Sequence, residues 1–491
     1  MSESNLQTQT IFGMLWTSIG KLGTMGLQFI SNLVLARLLL PTDFGTIGML
    51  QIFIAISSIF VTAGFGTALI QKKETTHIDY TSVFYFNLFA SIVIYLTLFF
   101  LSPIVAEFYN MSELCIILRV QSISLIIQAF ATVQSNILQK QLRFKELSIR
   151  NIIATMSGTI IAVFMAFCGF GVWSLVASNL VATFASVLLL WKMCSWRPTW
   201  NFSLHSLKEL FGFGSLMMLS SFVETVYSEI QGLIIGKFYS ASDLGYYTQA
   251  KKLEMVPSAA INSVINQVSF PVFSKMQDEK TKLQYGLSKS VKYGAYISFS
   301  VMILLIIIAD SIIPLLYGER WGESIPYFRL LCLGGLMSTI NCINTNTIMS
   351  LGKGKVYFVL QLSKRIIGIG MIIYGMQYGV IGMIIGVISI YYIAFIINGI
   401  VIGKLVGYNL IKQLKDIIPS VLLFGMIGVS VYYFSNDFFD NLYVVIILRI
   451  ILYISLSVIF SKLFKFEQYT LFNKILKENA WKIISKFYKH N

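Results

Sequence analysis

Uninterrupted apolar runs recur from one end of the chain to the other, and a water-soluble fold could not bury so many of them. A helix needs about 20 residues to cross the hydrocarbon core of a bilayer. Runs of that order fall near 11–38, 45–70, 81–105, 114–138, 149–168, 172–191 and 211–239, and again near 244–273, 291–316, 325–350, 356–375, 379–402, 416–434 and 442–461. Backbone groups inside a bilayer must bond within their own segment, so each run is read as a helix. The sequence therefore predicts an all-α integral membrane protein of about 14 transmembrane helices. Composition agrees, with 56% hydrophobic and 12% charged residues and a mean hydropathy of +0.74. The opening MSESNLQTQT lacks a basic n-region and a small-residue cleavage pattern, so the first run reads as a retained anchor.

A net charge of +15 would suggest nucleic acid in a soluble chain. In a membrane chain the position of each cation must be read first. Most Lys and Arg fall in alternate connections, among them Lys140, Arg143, Lys145 and Arg150, then Lys275, Lys280, Lys282, Lys289 and Lys292, and the lysines that follow Phe460. Only Arg37, Lys237 and Arg320 stand near the opposite connections. The positive-inside rule then puts both termini in the cytoplasm and makes most of the basic charge topological, so no nucleic-acid partner is expected. The opposite connections, such as PTDFG, CGFG, YGERWGES and SNDFFDN, are too short for an outer catalytic domain. His77, His205 and His490 are the only histidines, the five Cys show no CxxC spacing, and no P-loop, HExxH or GxSxG is present. No enzyme, cofactor or metal site is expected.

The chain repeats. At an offset of 200, LVLARLLLPTDFGTIG falls on LIIGKFYSASDLGYYT, so that Arg37 matches Lys237, Asp43 matches Asp243 and Gly45 matches Gly245. This divides the chain into six-helix lobes at residues 1–200 and 201–405, two further helices at 406–462, and a basic amphipathic cytoplasmic tail at 463–491. Two like-handed bundles related by an axis along the membrane normal place a substrate site at a central cavity between them.

Polar stripes follow the same repeat. Thr17, Lys21, Thr24, Gln28 and Ser31 are spaced by three and four and share one face of the first helix. Ser221, Glu224, Ser228 and Gln231 do so in the seventh, and Tyr247, Lys251, Glu254, Ser258, Asn262, Asn266 and Ser269 in the eighth. Such stripes line a cavity or hydrogen-bond helix to helix. Lys21, Lys251, Lys252 and Glu254, with Gln28 and Asn262, are the candidate substrate contacts, because an intramembrane charge generally faces protein or water and has a task. Lys251 and Glu254 also stand at a spacing that lets them neutralise each other. Glu224 is the candidate ion-coupling acid, or else a structural partner of Lys21 or Lys251. Arg329 lines the outer mouth on this reading, and Lys364 with Arg365 the inner one; snorkelling to the interface is the alternative for all three.

The segments LLLPTDFGTIGM, LIQKKETTHID, DLGYYTQAKKLEMVPSAAINSVINQVSFPVFSKMQDE and YGERWGESIPYFRLLCLGGL together resemble the polysaccharide-export flippases of the multidrug/oligosaccharidyl-lipid/polysaccharide superfamily. The nearest likeness is to the colanic-acid and teichuronic-acid branch of Wzx-like proteins, over essentially the whole chain. The resemblance implies a bacterial inner-membrane transporter that carries an undecaprenyl-pyrophosphate-linked oligosaccharide to the outer leaflet for O-antigen, capsule or exopolysaccharide assembly. It also implies a cation-rich cavity; coupling to H+ or Na+ rests on Glu224 alone, and polysaccharide polymerase or assembly proteins are the candidate partners. Lys21 and Lys251 stand where related flippases carry basic residues, but as Lys they lack the bidentate fork of Arg. Two other readings are an ion-coupled multidrug or cation antiporter of the same superfamily, which requires an acid-dominated pocket, and a non-transporting component of a glycan-assembly complex.

Overall fold

The computed structural model describes residues 3–436, 442–471 and 473. The chain forms two compact units, Met1–Thr248 and Gln249–Asn491, and their boundary falls inside one helix. Most of the predicted 463–491 tail lies outside the described residues, as does most of the SNDFFDN connection.

In the first unit, α1 (Glu3–Leu38) packs along α7 (Phe144–Phe167), and α7 pairs with α8 (Val172–Met193). α2 (Pro41–Thr62) lies on α9 (Leu204–Phe238) and on α4 (His77–Tyr109). The single span predicted at 45–70 is two helices, α2 and the short α3 (Phe65–Gln71), because Ala63 and Gly64 both adopt left-handed backbone, at φ 43° and 71°. At Gly64 a Cβ would overlap the carbonyl of Gly214 on α9, so glycine there serves both the turn and the packing. The span near 114–138 is likewise broken at Ser122, into α5 (Glu113–Gln121) and α6 (Ile123–Lys140). α9 opens the second sequence repeat, yet it packs in this unit against α2, α3 and α4.

The second unit is built on α11 (Lys280–Tyr317), which packs against α12 (Ser324–Ser350). α13 (Gly354–Gly375) pairs with α14 (Gly379–Val406), and α14 lies on α12. α15 (Leu410–Asn436) and α16 (Leu442–Leu463) pair with each other and dock on α11. α10 (Ala241–Lys275) runs through Pro257 and Pro271 as one continuous helix across the unit boundary.

Among the described residues, ten segments are long and apolar enough to cross a membrane; the longest of them, Gly354–Val406, holds both α13 and α14. The long helices outside those ten are α1, α10 and α12. α1 and α10 carry two of the three predicted stripes and α12 carries the run STINCINTNT; the third stripe lies on α9, which is among the ten. Polarity is concentrated in the helices that a hydropathy criterion passes over.

The structure explains what the repeat encodes. Asp43 accepts the Leu40 N–H at 2.8 Å, and Asp243 accepts the Ser240 N–H at 3.2 Å, so each aspartate closes the first turn of the helix it begins. Two residues later come the glycines. A Cβ on Gly45 would overlap the Ala241 carbonyl, and one on Gly245 would overlap the Pro41 carbonyl. The contact is reciprocal at the same offset of 200, with the start of α2 and the start of α10 meeting backbone to backbone inside the first unit. Lys237, the counterpart of Arg37, donates to the Phe108 carbonyl and lies 4.5 Å from the centre of that ring.

At the α3–α4 connection of the same unit, Lys72 Nζ stands 3.1 Å from Asp79 and 2.9 Å from Glu209 of α9. Lys140 Nζ donates to Leu69 O and Thr75 Oγ1, both at 3.1 Å. Partial burial pulls the Lys72 ammonium down, but the bonds and charges of Glu209 and Asp79 outweigh it and hold its pKa above the ordinary value. A raised folded pKa gives stability that is whole below the unfolded value, about 10.4, and is lost as pH rises through the folded one.

Two predictions follow from these contacts. Gly45→Val and Gly245→Val should each destabilise the detergent-solubilised protein by about 3 kcal/mol or more, because backbone cannot give way as a side chain would. Gly26→Ala, with nothing within 4 Å of its Cβ position in the interior of α1, should not lower the melting temperature and should raise it slightly. The melting-temperature gap between wild type and Lys72→Gln should stay constant from about pH 6 to about pH 9 and close above about pH 10.5.

Candidate functional site

The polar stripes divide into an open part and an internal part. On α1, Lys21 and Gln28 are exposed, whereas Thr17 and Thr24 turn their hydroxyls back to the carbonyls of Gly13 (2.8 Å) and Gly20 (2.7 Å). Those two threonines satisfy themselves within the helix and leave the amide and the ammonium as the open polar groups of that face. On α9, Ser221, Glu224 and Ser228 are exposed, but Gln231 is buried and accepts the Tyr247 hydroxyl. The α9 stripe thus passes from open surface to internal packing within two turns.

On α10, Lys252 is exposed and Lys251 and Glu254 are half-buried. Glu224, Lys251 and Lys252 are each engaged with a partner. Glu254 accepts the Ser258 hydroxyl at 2.5 Å, one turn on. Its carboxylate is reached closely by α12, where a Cβ on Gly335 would stand 2.8 Å from Oε1. Asn262 donates to Ser338 at 3.0 Å and accepts from Thr339 at 3.3 Å. Asn266 accepts from Asn346 at 2.8 Å and from Cys342 at 2.9 Å. Asn262 is therefore one end of a hydrogen-bonded seam between α10 and α12.

The seam exposes what the stripe analysis missed. α12 carries asparagines that reach three different neighbours. Asn341 donates to the Tyr391 carbonyl at 2.8 Å and accepts from Asn398 at 3.0 Å. Asn398 accepts in turn from Lys364 at 3.3 Å. Asn344 donates to the buried Gln413 of α15 at 3.0 Å. Lys364 was expected at an inner mouth, but it is buried midway along α13, with Asn398 as its hydrogen-bond partner. The signal that could have found this hub is the run STINCINTNT itself, in which six of ten residues are Asn or Thr within a segment otherwise of spanning length.

Arg329 belongs to a second cluster. Its Nη2 donates to Asp310 at 2.9 Å and its Nε to the Ile306 carbonyl at 3.2 Å. Arg449, 2% exposed, bonds the other Asp310 oxygen, the Ile307 carbonyl at 2.8 Å and Ser435 at 2.8 Å. Both guanidinium groups lie over Tyr432, at 5.3 and 5.0 Å from the ring centre. One carboxylate thus serves two arginines, and the cluster joins α11, α12, α15 and α16. Truncating one partner of such a group strands a buried charge. Arg449→Ala should lower stability by about 3–5 kcal/mol, read as the melting temperature of the purified protein. Arg329→Ala, which leaves the Arg449–Asp310 pair whole, should cost clearly less.

Residues 34–326, more than half of the chain, match the family model described as polysaccharide biosynthesis protein. The chain is 27% identical over 356 residues to the teichuronic acid biosynthesis protein TuaB of Bacillus subtilis (strain 168), covering 72% of this chain and 73% of that one. It is 26% identical over 404 residues to the lipopolysaccharide biosynthesis protein WzxC of Escherichia coli (strain K12), with coverage of 80% and 81%. Identity to the succinoglycan biosynthesis transport protein ExoT of Rhizobium meliloti (strain 1021) is 26% over 364 residues, 73% of each. Among solved structures, the lipid II flippase MurJ in an inward closed conformation superposes with a TM-score of 0.72 over 91% of this chain and 99% of that one, at 14% identity. An inward-facing multidrug resistance MATE family transporter of the MOP superfamily gives 0.60 over 80% and 98%, at 17% identity. The fold is the one these membrane transporters share, and the chain belongs to the polysaccharide biosynthesis protein family.

Proposed function

We propose that this protein is a flippase that moves a polyprenyl-pyrophosphate-linked oligosaccharide across the bacterial inner membrane, from the cytoplasmic to the outer leaflet, for assembly of a surface polysaccharide. The observation that carries the reading is family membership over residues 34–326. The named relatives act in teichuronic acid, lipopolysaccharide and succinoglycan biosynthesis, the last as a transport protein, and the fold of a lipid II flippase is of the right kind. A glycolipid of this class presents two chemistries, a polyanionic pyrophosphate and a neutral or acidic glycan. Lys21 in the first unit, and Lys251 and Lys252 in the second, each carry the charge that suits the first. Gln28, Asn262 and Arg329 suit hydroxyls or the second phosphate, Asn262 by exchanging its α12 partners for substrate. Glu254 orients Lys251 or substrate, and Glu224 is the candidate for coupling to H+ or Na+. Polymerase or other assembly proteins are the partners such a product requires.

The multidrug antiporter reading shares the fold, since a MATE transporter superposes with a TM-score of 0.60 over 80% of this chain. It is disfavoured by the surplus of lysine on the polar faces of α1 and α10, which repels a cationic drug.

Two measurements test the proposal. Proteoliposomes loaded with fluorescent polyprenyl-pyrophosphate oligosaccharide on one leaflet should show transfer to the other; absence of transfer with and without ion gradients would remove the reading's main support. In cells, Lys21→Ala and Lys251→Ala should each lower surface polysaccharide by about tenfold or more at unchanged membrane protein level, a loss of roughly 1.4 kcal/mol or more in the interaction each makes. Normal surface polysaccharide in both variants would sink the role given to the lysines.

A further inference from the structure

α11 is 38 residues long, roughly 57 Å as a helix and nearly twice a hydrocarbon core of about 30 Å. Its lysine-rich first turns, from Lys280 to Lys292, therefore stand in the headgroup layer on the side that the positive-inside rule makes cytoplasmic. Between those turns and the start of α15 lies a cavity of about 380 Å³, whose wall includes Thr281, Gln284, Tyr285, Lys412, Lys415 and Asp416. All of these residues belong to the second unit, and none is among the residues given a role in transport above.

The charge of this cavity is decided by how its acid is used. Asp416 Oδ2 accepts the Ser288 hydroxyl at 2.5 Å and the Tyr408 hydroxyl at 2.6 Å, and its Oδ1 lies 3.2 Å from Lys292. Both oxygens are committed to the wall, and its charge is matched by Lys292. That leaves Lys412 and Lys415, both exposed, as the pocket's charges with no carboxylate partner among the described residues. Lys412 spends one donor on the Gly407 carbonyl at 3.0 Å and keeps two others. Thr281 adds a hydroxyl, and the Gln284 amide holds the Gly407 carbonyl only at 3.4 Å. Tyr285, 66% exposed, stands at the rim as an aromatic at the interface does.

Two ammonium groups with donors to spare, a hydroxyl and an amide around one cavity of ligand size describe a receptor for a phosphate. Its depth in the headgroup layer supplies the source, because basic pockets between helices on the cytoplasmic side bind anionic lipid headgroups. We propose that this pocket binds the phosphodiester of an anionic phospholipid of the cytoplasmic leaflet, clamped by Lys412 and Lys415. Occupancy would tie the start of α15 to α11, and with it the α15–α16 pair.

The test uses the full-length protein in detergent, titrated with phosphatidylglycerol or phosphatidylcholine and read by native mass spectrometry. Wild type should retain one phosphatidylglycerol at a lipid concentration about tenfold below that needed by Lys412→Gln/Lys415→Gln, with no such difference for phosphatidylcholine. Lys275→Gln/Lys353→Gln, which removes the same charge from exposed positions elsewhere in the second unit, should bind as wild type does. Equal binding by wild type and the pocket variant overturns the proposal, as does an equal loss in the control variant. Displacement of the lipid by 10-millimolar-range inorganic phosphate would make free phosphate the ligand and overturn the lipid assignment. Since both altered lysines are exposed, the pocket variant should keep the wild-type melting temperature, which separates lost binding from lost folding.

Discussion

A polar atom placed at membrane depth must be bonded by protein or reach water, and the second unit is organised by how α12 meets that demand. Its hydroxyls and asparagines bond α10 through Asn262 and Asn266, α14 through Asn398, and α15 through Gln413. Hydrocarbon supplies no hydrophobic drive between helices, so directional bonds of this kind hold register that apolar side chains would leave free to slide. Gly335 admits Glu254 at the point where α10 and α12 approach, so the seam combines close backbone approach with hydrogen bonding. A network of this type fixes one arrangement when satisfied and is costly when it is not.

The accessory helices are attached by charge at two levels. Arg449 on α16 shares Asp310 with Arg329, deep in the unit, while Asp416 on α15 is held by Ser288 and Lys292 near the basic end of α11. Each acid stands between cations or hydroxyls from different helices.

Much of this could be read from the chain alone. The apolar runs, the offset of 200 and the faces of α1 and α9 follow from periodicity, because a helix's spacing determines which residues point the same way. Of the stripe residues, Lys21, Gln28 and Glu224 are exposed, whereas Lys251 and Glu254 are half-buried. Periodicity says nothing about what a face meets. It gave no warning that Gln231 is packed under Tyr247, that Asn262 is bonded into α12, or that Lys364 is buried against Asn398. The break after α2 was equally silent, since Ala63 takes a left-handed conformation that its residue type does not advertise. Asp310 and Arg329 lie 19 positions apart on antiparallel helices, and only their packing makes them a pair.

The reciprocal glycine contact has a consequence for how such a chain can change over time. Gly45 needs the backbone at 241 where it is, and Gly245 needs the backbone at 41. Each copy of the duplicated segment is therefore the mould of the other. After a gene duplication, twin segments ordinarily diverge at their own pace, but here any drift in one is judged at once by its fit to its sibling. A change in either copy is thus a change to the seat of the other, and the two segments constrain each other as a matched pair.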